Sequence, residues 1–230
     1  MQLLNLLAEK INHLEQTILD IETKKKIENV LDSPDFSKVL EQSIKISSLS
    51  EDKEKKDILA QLIIHRLSVD TEMTEALVVK ITIEKIEYLN NNQLKMLGLI
   101  FALKQTSKDF GYDDPERQKF TDDVIKKLLL ERFAPYYKIS VNQLDLEHLE
   151  FHNCIKMNYS LETMLGALIL PLEIYTKEQE VTFFETNLEV KLLVDWTNNN
   201  LQHAEQSIVG QLIGQYVHDL LSIKKIKIKK

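Results

Sequence analysis

The sequence predicts an all-α fold: a multi-helix, bundle-like architecture in two lobes, with a short C-terminal β-strand. Three observations carry this. Five glycines and four prolines are few for 230 residues, so helix breakers are sparse. Charged residues make up 28% of the chain and run throughout it, as on the solvent faces of long helices. Apolar residues recur at steps of three and four, the spacing of one helix face. A hydrophobic content of 43% over this length supports one full core, or two lobes sharing a boundary.

The first segment, Leu3 to Leu31, sets Leu4, Leu7, Ile11, Leu14, Ile18 and Ile21 on a heptad seam. Such a seam either packs on its own domain or pairs with a second subunit, and these six are the candidate interface residues. Ser33-Pro34 stops that helix and starts another, because serine caps free amides and proline suits the first turn. The next helix runs from Pro34 to about Ile46. SLSE at Ser48 to Glu51 has capping-box spacing, and the helix it opens buries Ile58, Leu62 and Ile63 before ending near Leu67. Thr71 to Leu89 carries Met73, Leu77, Ile81 and Tyr88 at helical spacing. After the Asn90-Asn91-Asn92 turn, QLKMLGLIFALKQ is apolar nearly all round and belongs at the centre of a core.

Gly111-Tyr112-Asp113-Asp114-Pro115 is the clearest break, and it predicts an N-terminal lobe over 1–110 and a C-terminal lobe over 111–230. Helices follow around Asp122 to Phe133, Val141 to His152 and Leu161 to Leu170, the last two separated by a CIKMNYS turn. VTFF at Val181 to Phe184 has strand propensity. Helices over Leu188 to Leu201 and Glu205 to Leu221 finish the body. In the last of these, Gly210 and Gly214 lie one turn apart at the edge of a wide apolar arc, which predicts a close helix crossing. Beyond it Ile226 and Ile228 alternate with lysines at the period of a strand, so they are expected to pin a terminal strand to the body.

Net charge is -7, from 29 basic and 36 acidic residues. Lys224, Lys225, Lys227, Lys229 and Lys230 crowd the end, and without these five the balance is 24 against 36, or -12. A body so acidic repels phosphates, so general nucleic-acid binding is not expected, while the basic tail could contact an acidic surface. The single cysteine, Cys154, excludes a disulfide framework and suits a reducing, cytoplasmic setting. No signal-peptide pattern opens the chain, and no run approaches the ~18 apolar residues of a transmembrane segment.

Several of these stretches resemble a family of uncharacterised, mostly helical bacterial proteins known chiefly by locus-tag names. The matching pieces are LDSPDFSKVLEQSIKISSLSEDKEKKDILAQLIIHR, LNNNQLKMLGLIFALKQTS, LEHLEFHNC and SIVGQLIGQY. The family commonly has a GDNSTNIQ-like segment ahead of the first helix, where this chain starts in the helix itself. It also usually has a Pro-Gly-Leu-Phe turn where LPLEIY stands here, and a terminal strand with far fewer lysines. The resemblance implies the fold and a bacterial origin; it brings no activity.

No nucleotide-binding, zinc-protease or hydrolase signature is present, so no catalytic residue, no cofactor and no cofactor-binding residue is predicted. The densest polar constellation is DLEHLEFHNC. Its His148 and His152 share one helix face, and Cys154 or Asp145 would have to complete a metal site; two histidines alone do not define one. Arg66, at a helix end, is expected to bind a carboxylate or the last carbonyls. The leading expectation is a non-enzymatic protein working through protein–protein contact, as a homo-oligomer or with another partner. A metal-dependent enzyme or metal-sensing module at His148 and His152 is the alternative. A third reading, an accessory component of bacterial defence or stress response, rests only on the habit of such families.

Overall fold

A computed structural model describes residues 2–17, 21–70, 73–109, 132–136, 138–158 and 200–228 of the chain. The side chains of Leu14, Ile21, Ile226 and Ile228 fall outside that description, as do Ile18, the Gly111–Pro115 break, most of the Asp122–Phe133 helix, and the elements expected over 161–199. The fold is all-α and bundle-like, with one short antiparallel strand pair. Two compact units form, Met1–Asn91 and Asn92–Lys230. The division therefore falls at the Asn90–Asn92 turn, ahead of the central apolar helix, and not at 110/111.

In the first unit, α1 (Gln2–Thr17), α2 (Ile21–Leu31), α3 (Pro34–Ser48) and α5 (Thr74–Ile86) each pack against α4 (Lys53–Ser68). The sequence explains why α4 is central: Ile58, Leu59, Ala60, Leu62, Ile63, Arg66 and Leu67 are all buried, which leaves little of the helix for water. Ser33 caps α3, its Oγ accepting from Phe36 N at 3.2 Å, with Pro34 in the first turn. The α4 cap differs from the capping-box expectation. Asp52 takes that place, accepting from Glu54 N at 2.8 Å, while Ser48 stays in α3 and donates to Lys45 O at 2.7 Å. A carboxylate beside the positive end of a helix holds its free amides more strongly than a hydroxyl. Lys55 extends from the first turn of α4 to the end of α5, donating to Leu89 O at 2.9 Å. Burial pushes its ammonium below the usual lysine range.

The second unit is built on α6 (Asn91–Asp109), α7 (Gln143–Phe151) and α8 (Ile208–Ile228). Leu94, Met96, Leu97, Leu99, Ile100 and Ala102 of α6 are all buried, so the all-round apolar helix is a core helix. Asn142 caps α7, its Oδ1 accepting from Asp145 N at 2.8 Å. Asn153, in the left-handed region at φ 55°, ends it. Strand β1 (Ile155–Met157) then pairs antiparallel with β2 (Ala204–Gln206), Lys156 opposite Glu205.

Two expectations are corrected here. The CIKMNYS stretch, described as far as Asn158, holds a strand at its centre, because Ile155 to Met157 finds a partner edge 47 residues downstream of Met157, at Ala204. The alternating Ile226 and Ile228 do not make the terminal strand, since α8 runs through Ile228. The short strand near the C-terminus is β2, ahead of the last helix. Helix growth adds a hydrogen bond for each residue fixed, whereas a strand at 224–230 would need an edge to pair with. Lysines in the last turns of a helix also favour the negative end of its dipole.

Candidate functional site

The metal-like pattern of the sequence is the histidine pair of α7. Capped by Asn142, α7 presents Leu146 and Leu149 inward and sets His148 and His152 one turn apart with ring centroids 4.5 Å apart. Phe151 meets His152 edge-on at 5.2 Å. Asp145 is not turned to these rings. Its carboxylate accepts from Asn92 Nδ2 at 2.9 Å, Gln93 Nε2 at 2.9 Å and Asn142 Nδ2 at 2.7 Å. Cys154 is a buried free thiol, its Sγ 3.9 Å from His152 O. Among the described residues, no three His, Cys, Asp or Glu side chains come together where they could hold a metal ion. The constellation is thus a helix N-terminus braced by amides plus a packed histidine pair.

The amide brace leaves little trace in the sequence. Asn92 closes a stretch that reads as a turn and Gln93 opens the apolar helix that follows, so neither points to Asp145; an asparagine ahead of an apolar pattern, as at Asn142, is the one local signal.

Gly210 and Gly214 lie where α8 passes its neighbours. A Cβ on Gly210 would overlap the Cys154 carbonyl oxygen, and one on Gly214 would stand 2.6 Å from Leu97 O of α6. Buried Gln206 works in the same crossing, its Nε2 donating to Leu97 O at 2.8 Å and to Gly210 O at 3.2 Å. Ser207 fixes the start of α8, donating from Oγ to Asn153 O at 2.7 Å and from N to Cys154 O at 3.0 Å. These contacts hold a scaffold, with no side chain poised for bond-making.

In the first unit Arg66 is fully buried, at 0% exposure. It donates from Nη1 to Val69 O at 3.1 Å and from Nη2 to Asp35 Oδ2 at 3.1 Å, so it binds both a carboxylate and a carbonyl near its helix end. Lys80 Nζ donates to the other carboxylate oxygen at 3.0 Å. The Lys80 and Arg66 hydrogen bonds hold the Asp35 carboxyl below its usual range against the opposing effect of burial, the Lys80 bond being the largest influence. One residue each from α3, α4 and α5 makes this cluster.

Two surfaces remain. On α1 the seam divides: Leu7 is buried with Leu3, Ile11 is half-buried, and Leu4 is exposed. On α5 the buried set is Ala76, Val79, Thr82, Ile83 and Ile86, while Leu77 faces solvent at 55%, in line with exposed Met73 at the helix's N-cap and exposed Tyr88 just past its end. This helix is apolar on two faces, and only one is covered. Leu49 is exposed too, and the 3.6 Å Lys45–Glu87 ion pair brings its end of α3 to the Tyr88 end of α5.

Among the described residues, no helix is long and apolar enough to cross a membrane. No curated protein and no solved structure matches the chain. The sequence model of one family matches residues 2–182, and the chain belongs to that family, which is uncharacterised.

Proposed function

We propose that this member of an uncharacterised helical family works through protein–protein contact, self-associating through the outer face of α5. The observation that carries this is the stripe of Met73, Leu77 and Tyr88 standing in solvent on a helix whose other face is already buried. Leaving it in water forfeits the burial of two aliphatic side chains and an aromatic ring, the residue types that anchor interfaces. The α1 seam offers less, because Leu7 already belongs to its own unit's core and, among the described seam residues, only Leu4 is exposed. A single buried free cysteine and an acidic body suit action in the cytoplasm.

Light scattering on the purified chain tests the reading. Wild type is expected above monomer mass, and Leu77→Glu at monomer mass with an unchanged far-ultraviolet circular dichroism spectrum, since the side chain replaced is not in the core. A wild-type protein that is monomeric at high micromolar concentration overturns it.

A further inference from the structure

The outer face of α7 holds two metal ligands and, beside them, an uncovered apolar strip. His148 and His152 set their rings 4.5 Å apart between centroids, and both are only half-buried, so solvent reaches them. Histidines one helical turn apart are spaced to ligate a single ion. A lasting tetrahedral site needs two more protein ligands. The same chain does not supply them. Asp145 is held by three amides, Glu147 accepts from Gln143 Nε2 at 3.1 Å, Glu150 accepts from Met157 N at 2.9 Å, and the Cys154 thiol is buried. The pair is half a site, and its completion has to come from another molecule.

The apolar strip offers a way to bring that molecule. Leu144 and Phe151 are 76% and 79% exposed, and seven residues are about two turns, so both leave one side of the helix. At about 100° per residue, His148 and His152 fall about 40° and 80° to one side of Leu144, and Glu147 falls about 60° to the other. When two copies of α7 lie antiparallel about a twofold axis, Leu144 of one covers Phe151 of the other, and each flank faces the same flank of the second copy. The two histidine pairs then converge beside the axis. Charge says why an ion is required. Across its nine residues α7 carries Asp145, Glu147 and Glu150 and no lysine or arginine, so two such helices repel each other until a cation lies between them.

We propose that His148 and His152 of two copies bind one zinc ion as a four-histidine site, with Leu144 and Phe151 packed across the twofold axis. Four imidazoles suit zinc and not the oxygen-seeking magnesium or calcium. The site goes beyond the α5 contact and does not depend on it, since it joins copies through a different helix and only when the ion is present.

The test uses full-length protein carrying Leu77→Glu, which removes the α5 contact, studied by sedimentation velocity in EDTA and in zinc chloride, with zinc counted by elemental analysis after dialysis. A monomer in EDTA and a dimer in zinc are expected, with one zinc retained for two chains. H148A and H152A must each lose both the metal and the dimer, and F151S must weaken the dimer about tenfold, as for loss of an interface anchor. Cobalt(II) in place of zinc gives a readout that needs no further variant: the strong visible bands of tetrahedral cobalt must appear and saturate at one ion for two chains. If no zinc is retained, or if one is retained by each chain at monomer mass, the inference falls. If L77E is a dimer in EDTA and zinc alike, zinc is not what joins the copies and the inference falls. If L77E is monomeric in both and the wild type is not, the inference falls while the α5 reading stands. If the wild type too is monomeric in EDTA and dimeric in zinc, the α5 reading falls and the metal site stands.

Discussion

Residues 1–91 enclose a full positive charge, whereas residues 92–230 press one backbone against another, and the two solutions tolerate change very differently. Around Arg66 the donors are the ends of two long side chains, Arg66 and Lys80, which share the carboxylate of Asp35. At the α8 crossing the neighbours are carbonyl groups, Cys154 O at Gly210 and Leu97 O at Gly214. Those oxygens belong to a strand-bound turn and a core helix, so they move only if the element moves. A polar cluster made of side chains degrades by degrees, while a backbone contact fails at the first added carbon.

Gly210→Ala should therefore have the largest effect. The β1–β2 pairing and the Ser207 hydrogen bonds hold Cys154 in place, so the new methyl group has nowhere to go. Overpacking of this kind costs about 3 kcal/mol or more. An unconstrained helix interior gives the opposite sign, since alanine there is about 1 kcal/mol better than glycine. A melting temperature that rises on this substitution would remove the contrast between the two units.

Asp35→Ala should come second. It leaves the buried Arg66 guanidinium with Val69 O alone among the partners described above, and Arg66 Nε already has no hydrogen-bond partner among the described residues. Breaking a buried pair costs about 3–5 kcal/mol, and because Asp35 is itself 40% exposed a loss of about 2 kcal/mol is expected. Chemical denaturation reads it. Since the Asp35 carboxyl is held below its usual value, its contribution is fully present above the unfolded carboxylate pKa and is lost as pH falls through the folded one. No loss in the variant would mean that water reaches Arg66.

The same contrast decides what the sequence could show. Periodicity finds contacts made by runs of apolar side chains, so Ile58, Leu62 and Ile63 in α4 and the whole of α6 were legible, and the Ser33-Pro34 start announced itself through local capping chemistry. On α5 periodicity alone could not choose between two apolar faces, and the buried one is Val79 and Ile83 in place of Met73 and Leu77. Sequence-distant pairings left weaker marks. Nothing local in IKM or AEQ says that they pair, because each strand is only three residues long and depends on its partner. The alternation of Ile226 and Ile228 pointed to a strand because period 2 says nothing about whether an edge is at hand. The amides around Asp145 also come from separate stretches, and only the Asn142 cap had a readable signal.

The smallest expected effect lies within the second unit and asks whether its interior holds any charge-sensitive group at all. His218 of α8 lies between Phe101, at a ring-centroid distance of 5.9 Å, and the buried Tyr136, whose hydroxyl is 2.9 Å from Nδ1. Burial lowers the imidazole pKa, the neighbouring Asp219 opposes that shift, and Arg132 adds to it. The ring is therefore neutral in the native protein near neutral pH, and its Nδ1 shares a hydrogen bond with the Tyr136 hydroxyl. Burial together with Asp219 keeps that hydroxyl protonated by raising its own pKa. A histidine that is harder to protonate when folded stabilises fully above its ordinary pKa of about 6.5 and loses that contribution as pH falls from there towards its folded value. Asp219 works in the opposite sense at lower pH, because burial holds its carboxyl above the usual range, so the measurement belongs between about pH 8 and pH 6. His218→Asn keeps an acceptor for Tyr136 and removes the titration. Its melting temperature should fall less steeply over that interval than that of the wild type, whereas parallel curves would show that His218 is as easily protonated folded as unfolded.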